Sequence, residues 1–410
     1  MSEQLLFIAS AFPPIVGGSA HVYASLCQRL GSQVCVITAK KSYVDGRELP
    51  GWKDWDSRQS FEVRRLDLLR PQYREKPATV FHSAARFLFE DRLLERKLIE
   101  EAGFVIRKRG VKVVCLGELY SLHRVGQALR KRFGVGIIHY VHGEELTTGC
   151  SSRRYAHGAY EALARATRVI AVSSFTAQEV VRRCRVKREN LKVIHNGVDV
   201  GRFYPGPKNE SIINRHGLHG RKILLTVARL EPRKGHHAVI RALPEVLKEI
   251  PNLSYLIVGV GSQLEALRAL ALQCNVANQV VFATDVRSEE LPGYYRTADL
   301  FVMPNRTMPD GDTEGFGLVF LEAGACRKPV IGGNAGGVPD AVEHGVNGLL
   351  VDGASPSSVA AACLKVLEDP ALAERLASAG LARARASTWD RKTEEFRAVY
   401  QEASCPAPLR

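Results

Sequence analysis

The 410-residue chain contains no apolar run approaching the ~18 residues of a membrane-spanning helix, which excludes a polytopic membrane protein. Its nine cysteines, at 27, 35, 115, 150, 184, 274, 326, 363 and 405, are odd in number and show no CxxC spacing. A structural zinc site, a dithiol redox site and a disulfide framework therefore find no support. Thiols set in apolar runs, such as Cys115 in 113–116, behave as small hydrophobes and suit a reducing, cytoplasmic setting. GxGxxG, the Walker lysine and the GxSxG elbow are missing too, so the common dinucleotide, P-loop and serine-hydrolase fingerprints are not met. No short-period repeat is present. The early stretch LLFIASAF lacks a basic segment before it and runs into Pro13-Pro14, so it reads as a first strand rather than a signal peptide.

What is present is an ordinary globular composition, 45% hydrophobic and 24% charged, which excludes a mainly disordered chain. The charge is unevenly placed. Residues 1–200 hold 33 basic and 20 acidic side chains, residues 201–410 hold 24 and 23, and the total is +14. A basic first half fits an anionic partner such as nucleic acid, a membrane surface or a phosphorylated ligand. It fits equally a well-solvated basic surface.

Short β-branched runs recur at 5–10, 34–39, 113–117, 137–142, 168–173 and 191–196, then at 222–230, 254–261, 280–284, 300–304, 329–333 and 348–351. They are apolar throughout rather than alternating, as strands buried on both faces of a parallel sheet are. Helical periodicity separates them, as in 239–247 and 359–367. The fold class is therefore α/β, two doubly wound Rossmann-like domains. The expected division is 1–200 and 201–385, with a Pro- and Gly-bearing linker at 201–214 and a final helix within 386–410. Residues 40–100 read as a looser insertion with an amphipathic helix near 79–99.

Ligands of open α/β sheets bind beyond the carboxyl ends of the strands, and the informative residues lie there. Pro13-Pro14-Ile15-Val16-Gly17-Gly18 follows the first strand and precedes a helix; Gly17 and Gly18 suit either a phosphate loop or a tight turn. His142, in His142-Gly143-Glu144-Glu145, ends a strand and could serve as a hydrogen-bonding or acid–base group, or as a packed histidine. His139 on the same strand reads as packed. Arg229 and Lys234 stand five apart across a turn and could converge on a diphosphate or form a solvated basic loop. Glu314-Gly315-Phe316-Gly317-Leu318-Val319-Phe320-Leu321-Glu322 sets two carboxylates about a helix expected to begin near Phe316. Its glycines free backbone N–H groups at the positive helix end. A buried Glu322 needs donors, either sugar hydroxyls or a local arginine. Asp310-Gly311-Asp312 reads as turn chemistry rather than a metal element, and His236-His237 as solvent-facing.

Together, PPxxGG, HGEE at 142–145, HNGVD at 195–199, ARLEPRKG at 228–235 and EGFGLVFLE at 314–322 resemble the retaining glycosyltransferases of family 4, bacterial phosphatidylinositol mannoside mannosyltransferases among them. The resemblance implies a glycosyltransferase B fold, two facing Rossmann-like domains with the C-terminal helix crossing back to the first. It implies a nucleotide-diphosphate sugar of mannose, glucose or GlcNAc type as donor, and a glycan or glycolipid hydroxyl as acceptor. No cofactor or metal is implied. Gly17 and Gly18 would approach the diphosphate, and Arg229 and Lys234 would neutralise it as it departs. Glu314 would bind sugar hydroxyls beside the backbone of Gly315, Phe316, Gly317 and Leu318. Glu322 would hold the ribose, Val286 would lie near the base, and His142 would contact the transferred sugar. The basic first half then suggests an acidic or lipid-phosphate acceptor, with peripheral contact at an anionic inner membrane face through residues 79–109. The alternatives are a sugar-nucleotide epimerase or another B-fold enzyme and, lacking any recognition motif, a nucleic-acid binder.

Overall fold

In the computed structural model, which describes residues 4–71, 90–147 and 153–404, the apolar runs form strands that pair in parallel. The chain divides into one unit of Met1–Ile194 with Lys392–Arg410 and another of His195–Arg391. The first holds β1 (Leu5–Ile8), β2 (Val34–Ala39), β3 (Glu62–Leu66), β4 (Val113–Leu116), β5 (Gly136–Val141), β6 (Arg168–Ala171) and β7 (Leu191–Val193). Their order in the sheet is β3-β2-β1-β4-β5-β6-β7. The second holds β8 (Lys222–Val227), β9 (Leu253–Val258), β10 (Val280–Ala283), β11 (Leu300–Met303), β12 (Val330–Gly333) and β13 (Leu349–Val351), in the order β10-β9-β8-β11-β12-β13.

Counted from its own first strand, each sheet reads 3-2-1-4-5-6, the doubly wound order, and the first adds a seventh strand. The winding of the sheet reverses between β1 and β4 in one unit and between β8 and β11 in the other. Loops diverge there and leave a crevice at the carboxyl edge. Helices cover both faces, so strands such as β1, β2, β4, β9 and β11 are buried along their whole length. The second unit's core joins Leu224, Tyr255, Ile257 and Val302 to Val239, Leu243, Val246 and Val359 on helices His236–Glu249 and Pro356–Leu367.

Two expectations change. The insertion at 40–100 contains β3 and a short helix, Trp52–Ser57. β3, with sequence EVRRL, is only partly buried, because an edge strand keeps one side polar and so lacks the apolar run of a central strand. The amphipathic segment near 79–99 falls partly outside the described residues; its described part belongs to a helix, Arg92–Arg109. That helix turns Leu98, Ala102, Val105 and Ile106 into the first unit's core, so its apolar stripe is already covered. Leu93 and Phe104 remain exposed on its other side. Among the described residues no helix is long and apolar enough to cross a membrane.

The last helix, Trp389–Ser404, starts in the second unit and continues in the first from Lys392. Trp389 is buried, and a Cβ on Gly197 would come within 2.9 Å of its ring. Val198 donates to the Ser387 carbonyl at 2.9 Å. Further along, Tyr140 packs on Phe396 and Arg168 pairs with Glu402 at 3.0 Å.

Arg65 on β3 explains how the edge strand holds the loop after β1. Its buried guanidinium grips Asp56 through two 2.8 Å contacts and donates to the carbonyls of Ala39 at 2.7 Å and Pro13 at 2.6 Å. Removing one partner of a buried pair leaves the other uncompensated. Arg65→Ala is expected to lower the unfolding free energy by about 3 kcal/mol, read from urea denaturation of the full chain. A loss below about 0.5 kcal/mol, the range of surface substitutions, would mean that the pair contributes nothing.

Candidate active site

The second unit's crevice is lined by the loops that leave β8 and β11, and two of the charged residues predicted from the sequence, Lys234 and Glu314, meet in it. Arg233 is buried at its centre. It contacts Glu231 at 3.1 Å, Asp312 at 3.1 Å and Glu314 at 3.4 Å, and its carbonyl accepts the N–H of Arg306 at 3.0 Å. Lys234 makes a short ion pair with the same Glu314 oxygen, which also accepts from the Asn305 amide at 3.3 Å. Burial pushes the Glu314 carboxyl up, but the charges of Lys234 and Arg233, with hydrogen bonds from Lys234 and the Phe316 N–H, outweigh it. The net shift is downward. Glu314 is therefore an anion at neutral pH, held by cations rather than by solvent.

Arg229 stands apart. Its side chain is 61% exposed and pairs with Glu231 at 2.7 Å, so it reaches Glu314 only through the relay Glu231–Arg233. The sequence pairing of Arg229 with Lys234 thus gives way to one of Arg233 with Lys234. Adjacency to Lys234 was the available signal for Arg233, and position just beyond β11 was the signal for Asn305. The Asp312 N–H donates to Asp310 Oδ1 at 3.0 Å, which closes a turn, while the Asp312 carboxylate faces Arg233. Among the described residues no group of three or more His, Cys, Asp or Glu is arranged to hold a metal ion.

Gly315 is partly buried and Phe316 is buried against His195, ring stacked on ring at 5.6 Å. Gly317 takes φ 92° and caps the helix Leu318–Ala325, which begins two residues later than expected and whose N-terminus receives no side-chain cap. A Cβ on Gly317 would also meet the Phe320 ring at 2.6 Å, so glycine is required here by conformation and by packing. Glu322, inside this helix, finds its donor in a residue the sequence did not single out: the Tyr295 hydroxyl, at 2.6 Å. Burial raises the Glu322 carboxyl, opposed by the Tyr295 hydrogen bond and the charge of Arg202. Val286 sits partly buried beyond β10, ahead of the turn Ser288–Glu290. One expectation fails here. His236 is buried rather than solvent-facing, its ring 3.3 Å from both the Tyr255 hydroxyl and the Arg229 carbonyl, because the helix it begins turns that face onto the sheet.

In the first unit the residues after β1, β4 and β5 gather in the same way. Gly17 is extended, exposed and the N-cap of the helix Gly18–Leu30, with no side-chain cap. A Cβ on Gly17 would meet no heavy atom within 4 Å. Neither strain nor internal packing therefore demands glycine at this position. Glu118 accepts the N–H groups of Ser10 at 2.9 Å and Ala11 at 2.8 Å and so ties the end of β1 to the end of β4. His142 follows β5. Glu145 accepts the backbone N–H of His142 at 3.2 Å and of Gly143 at 3.0 Å, and burial pushes its carboxyl up to about 7. Burial lowers His142 to about 4 and His139 to about 3, so both rings are neutral at pH 7.

Residues 16–202 match the family model described as Glycosyltransferase Family 4, and residues 208–383 match the model Glycosyl transferases group 1. A GDP-mannose-dependent alpha-(1-6)-phosphatidylinositol monomannoside mannosyltransferase from Mycolicibacterium smegmatis is 33% identical over 311 residues, 75% of this chain and 81% of that protein. A D-inositol 3-phosphate glycosyltransferase from Streptomyces avermitilis is 33% identical over 297 residues, 68% of this chain and 63% of its own length. HepE from Anabaena, solved with UDP and glucose, superposes with a TM-score of 0.76 at 21% identity, over 97% of this chain and 99% of that one.

The raised carboxyl of Glu322 carries a testable cost. A carboxylic acid whose folded pKa lies above its unfolded one binds more protons when folded, so stability falls as pH rises from the ordinary carboxyl range through the folded value. Glu322→Gln keeps an acceptor for Tyr295 and removes that charge. Thermal melts should show the variant gaining on wild type as pH rises from 4 to 8. A constant difference across that range would contradict the assignment.

Proposed function

The chain belongs to the family 4 glycosyltransferases, and on that premise we propose that it moves a hexose, mannose from GDP-mannose first, onto a hydroxyl of a phosphate-bearing glycolipid with retention of anomeric configuration. The observation that carries this reading is the buried cluster of Lys234, Arg233 and Glu314 at the carboxyl edge of the second sheet. The donor and acceptor classes draw on the relatives' printed activities and on the basic first half of the chain.

In retaining transfer the acceptor oxygen attacks the anomeric carbon on the face from which the diphosphate leaves. The bond from that carbon to the phosphate oxygen breaks with its electron pair. The acceptor proton passes to a leaving phosphate oxygen. The charge that must be met is therefore on the departing diphosphate. Lys234 and Arg233 meet it from a desolvated position, with Arg229 adding a more exposed cation, and Glu314 holds the sugar hydroxyls. Glu314 is already neutralised by two cations, which suits a binding and positioning role better than that of a nucleophile. Glu322 and Tyr295 take the ribose, Val286 lies at the base, and the uncapped N–H groups before and within Leu318–Ala325 serve the phosphates. From the first unit, His142 contacts the transferred hexose and Gly17-Gly18 let the backbone approach the diphosphate. That role supplies the reason for glycine that packing does not. With Lys234, Arg233 and Arg229 placed to meet the leaving charge and Asp312 committed to Arg233, the proposed reaction calls for no divalent metal. Peripheral contact with an anionic membrane face would use the exposed side of Arg92–Arg109.

With GDP-mannose and a phosphatidylinositol-type acceptor, Lys234→Ala should lower kcat by about 10²–10³, as loss of one transition-state donor does. Glu314→Gln should abolish transfer while the melting curve shows a folded chain. GDP release, the anomeric configuration of the product by NMR and an unchanged rate in EDTA are the readouts. Near-wild-type turnover by Glu314→Gln would overturn the site, and an inverted product would overturn retention.

A further inference from the structure

Three residues distant in sequence lock together in the first unit. The Tyr23 hydroxyl makes a short hydrogen bond to the Gly117 carbonyl, at the end of β4, and lies 2.9 Å from His142 Nε2, at the end of β5. The His142 ring is clamped between two aromatic rings. Tyr140 stacks on it at 5.4 Å and 24°, and Tyr23 meets it edge-on at 5.2 Å and 71°. Gly117 is glycine for the same reason, since a Cβ there would stand 2.8 Å from the Tyr23 ring and 2.9 Å from the Ala9 Cβ.

The donors can be counted. A phenol has one proton, and the Gly117 carbonyl can only accept it. Toward His142 the Tyr23 oxygen must therefore accept, so Nε2 must carry a hydrogen. A neutral imidazole protonated on Nε2 has a bare Nδ1. Both rings remain in the states this count needs. Burial, followed by the charges of Glu118 and Glu145, pushes the Tyr23 hydroxyl well above its ordinary value, and burial holds His142 neutral.

We propose that Tyr23 is a positioning residue that fixes His142 as its Nε2–H tautomer and so presents Nδ1 as a hydrogen-bond acceptor for a hydroxyl of the transferred hexose. This rests on the reading that His142 contacts that sugar. It adds that the contact is directional: the sugar donates and the histidine accepts. His142 would then orient the hexose and not act as an acid, because the proton on Nε2 is tied to Tyr23 and Nδ1 carries none.

The test is ¹⁵N NMR of the full chain labelled at histidine, with the His142 nitrogens assigned by their loss in His142→Gln. Wild type should show a protonated Nε2 and a bare Nδ1, and Tyr23→Phe should shift the ring toward a mixture of tautomers. A wild-type ring protonated on Nδ1 would overturn the lock without need of any variant, as would a tautomer unchanged in a folded Tyr23→Phe. In turnover of GDP-mannose, Tyr23→Phe should lower kcat roughly tenfold, less than the ~10²-fold that a 1 Å misplacement can cost, and should cost nothing further in the His142→Gln background. A full, additive cost in that background would show that Tyr23 acts through something other than His142. If His142→Gln turns over as wild type does, the role given to His142 fails, and the nitrogen shifts still decide the tautomer lock.

Discussion

Parallel pairing is the constraint from which the rest follows. Neighbouring strands of both sheets run in one direction, so each strand-to-strand connection must cross a face of the sheet. Helices then bury both faces and leave no side of either sheet for polar chemistry. The carboxyl edge is what remains, and it opens where the winding reverses. The ion cluster of the second unit and the tyrosine–histidine pair of the first both sit where that constraint leaves room.

Within that frame, the two glutamates of the second unit's edge meet different partners. Glu314 receives two cations and an amide, and its carboxyl is lowered. Glu322, equally withdrawn from water, receives one phenol and a more distant charge, and its carboxyl is raised. Two glutamates eight residues apart thus have opposite tendencies because their surroundings differ, not because their sequence contexts do. The first is poised as a permanent anion. The second sits at a cost that a ligand hydroxyl would relieve.

The opposite bias governs the first unit. In that unit burial holds His142 uncharged, and Tyr23 keeps its proton. Glu118, at its reversal point, accepts the backbone N–H groups of Ser10 and Ala11. The two units share a strand order, yet at the same topological position the second gathers Lys234 and Arg233 on Glu314 while the first sets a carboxylate against backbone N–H groups.

Much of this was legible in the sequence. Most of the thirteen strands announce themselves as apolar runs, because strands covered on both faces cannot alternate, while β7, with sequence LKV, is an exposed edge strand found from the apolar stretch around it. The motif residues stand just beyond those runs, so His142, Lys234, Glu314 and Glu322 could be named before any fold was seen. β3 escaped because EVRRL is an edge strand whose Arg65 serves the loop beside it, and local periodicity carries no mark of such a role. What only the tertiary structure decided is partnership. Arg233 rather than Arg229 reaches Glu314 across 81 residues, Tyr23 finds His142 across 119, and Tyr295 supplies the proton that Glu322 needs. Periodicity is a property of neighbouring residues and is written in the chain. Which buried charge meets which donor depends on how strands distant in sequence are set side by side, and that order exists only once the sheet has formed.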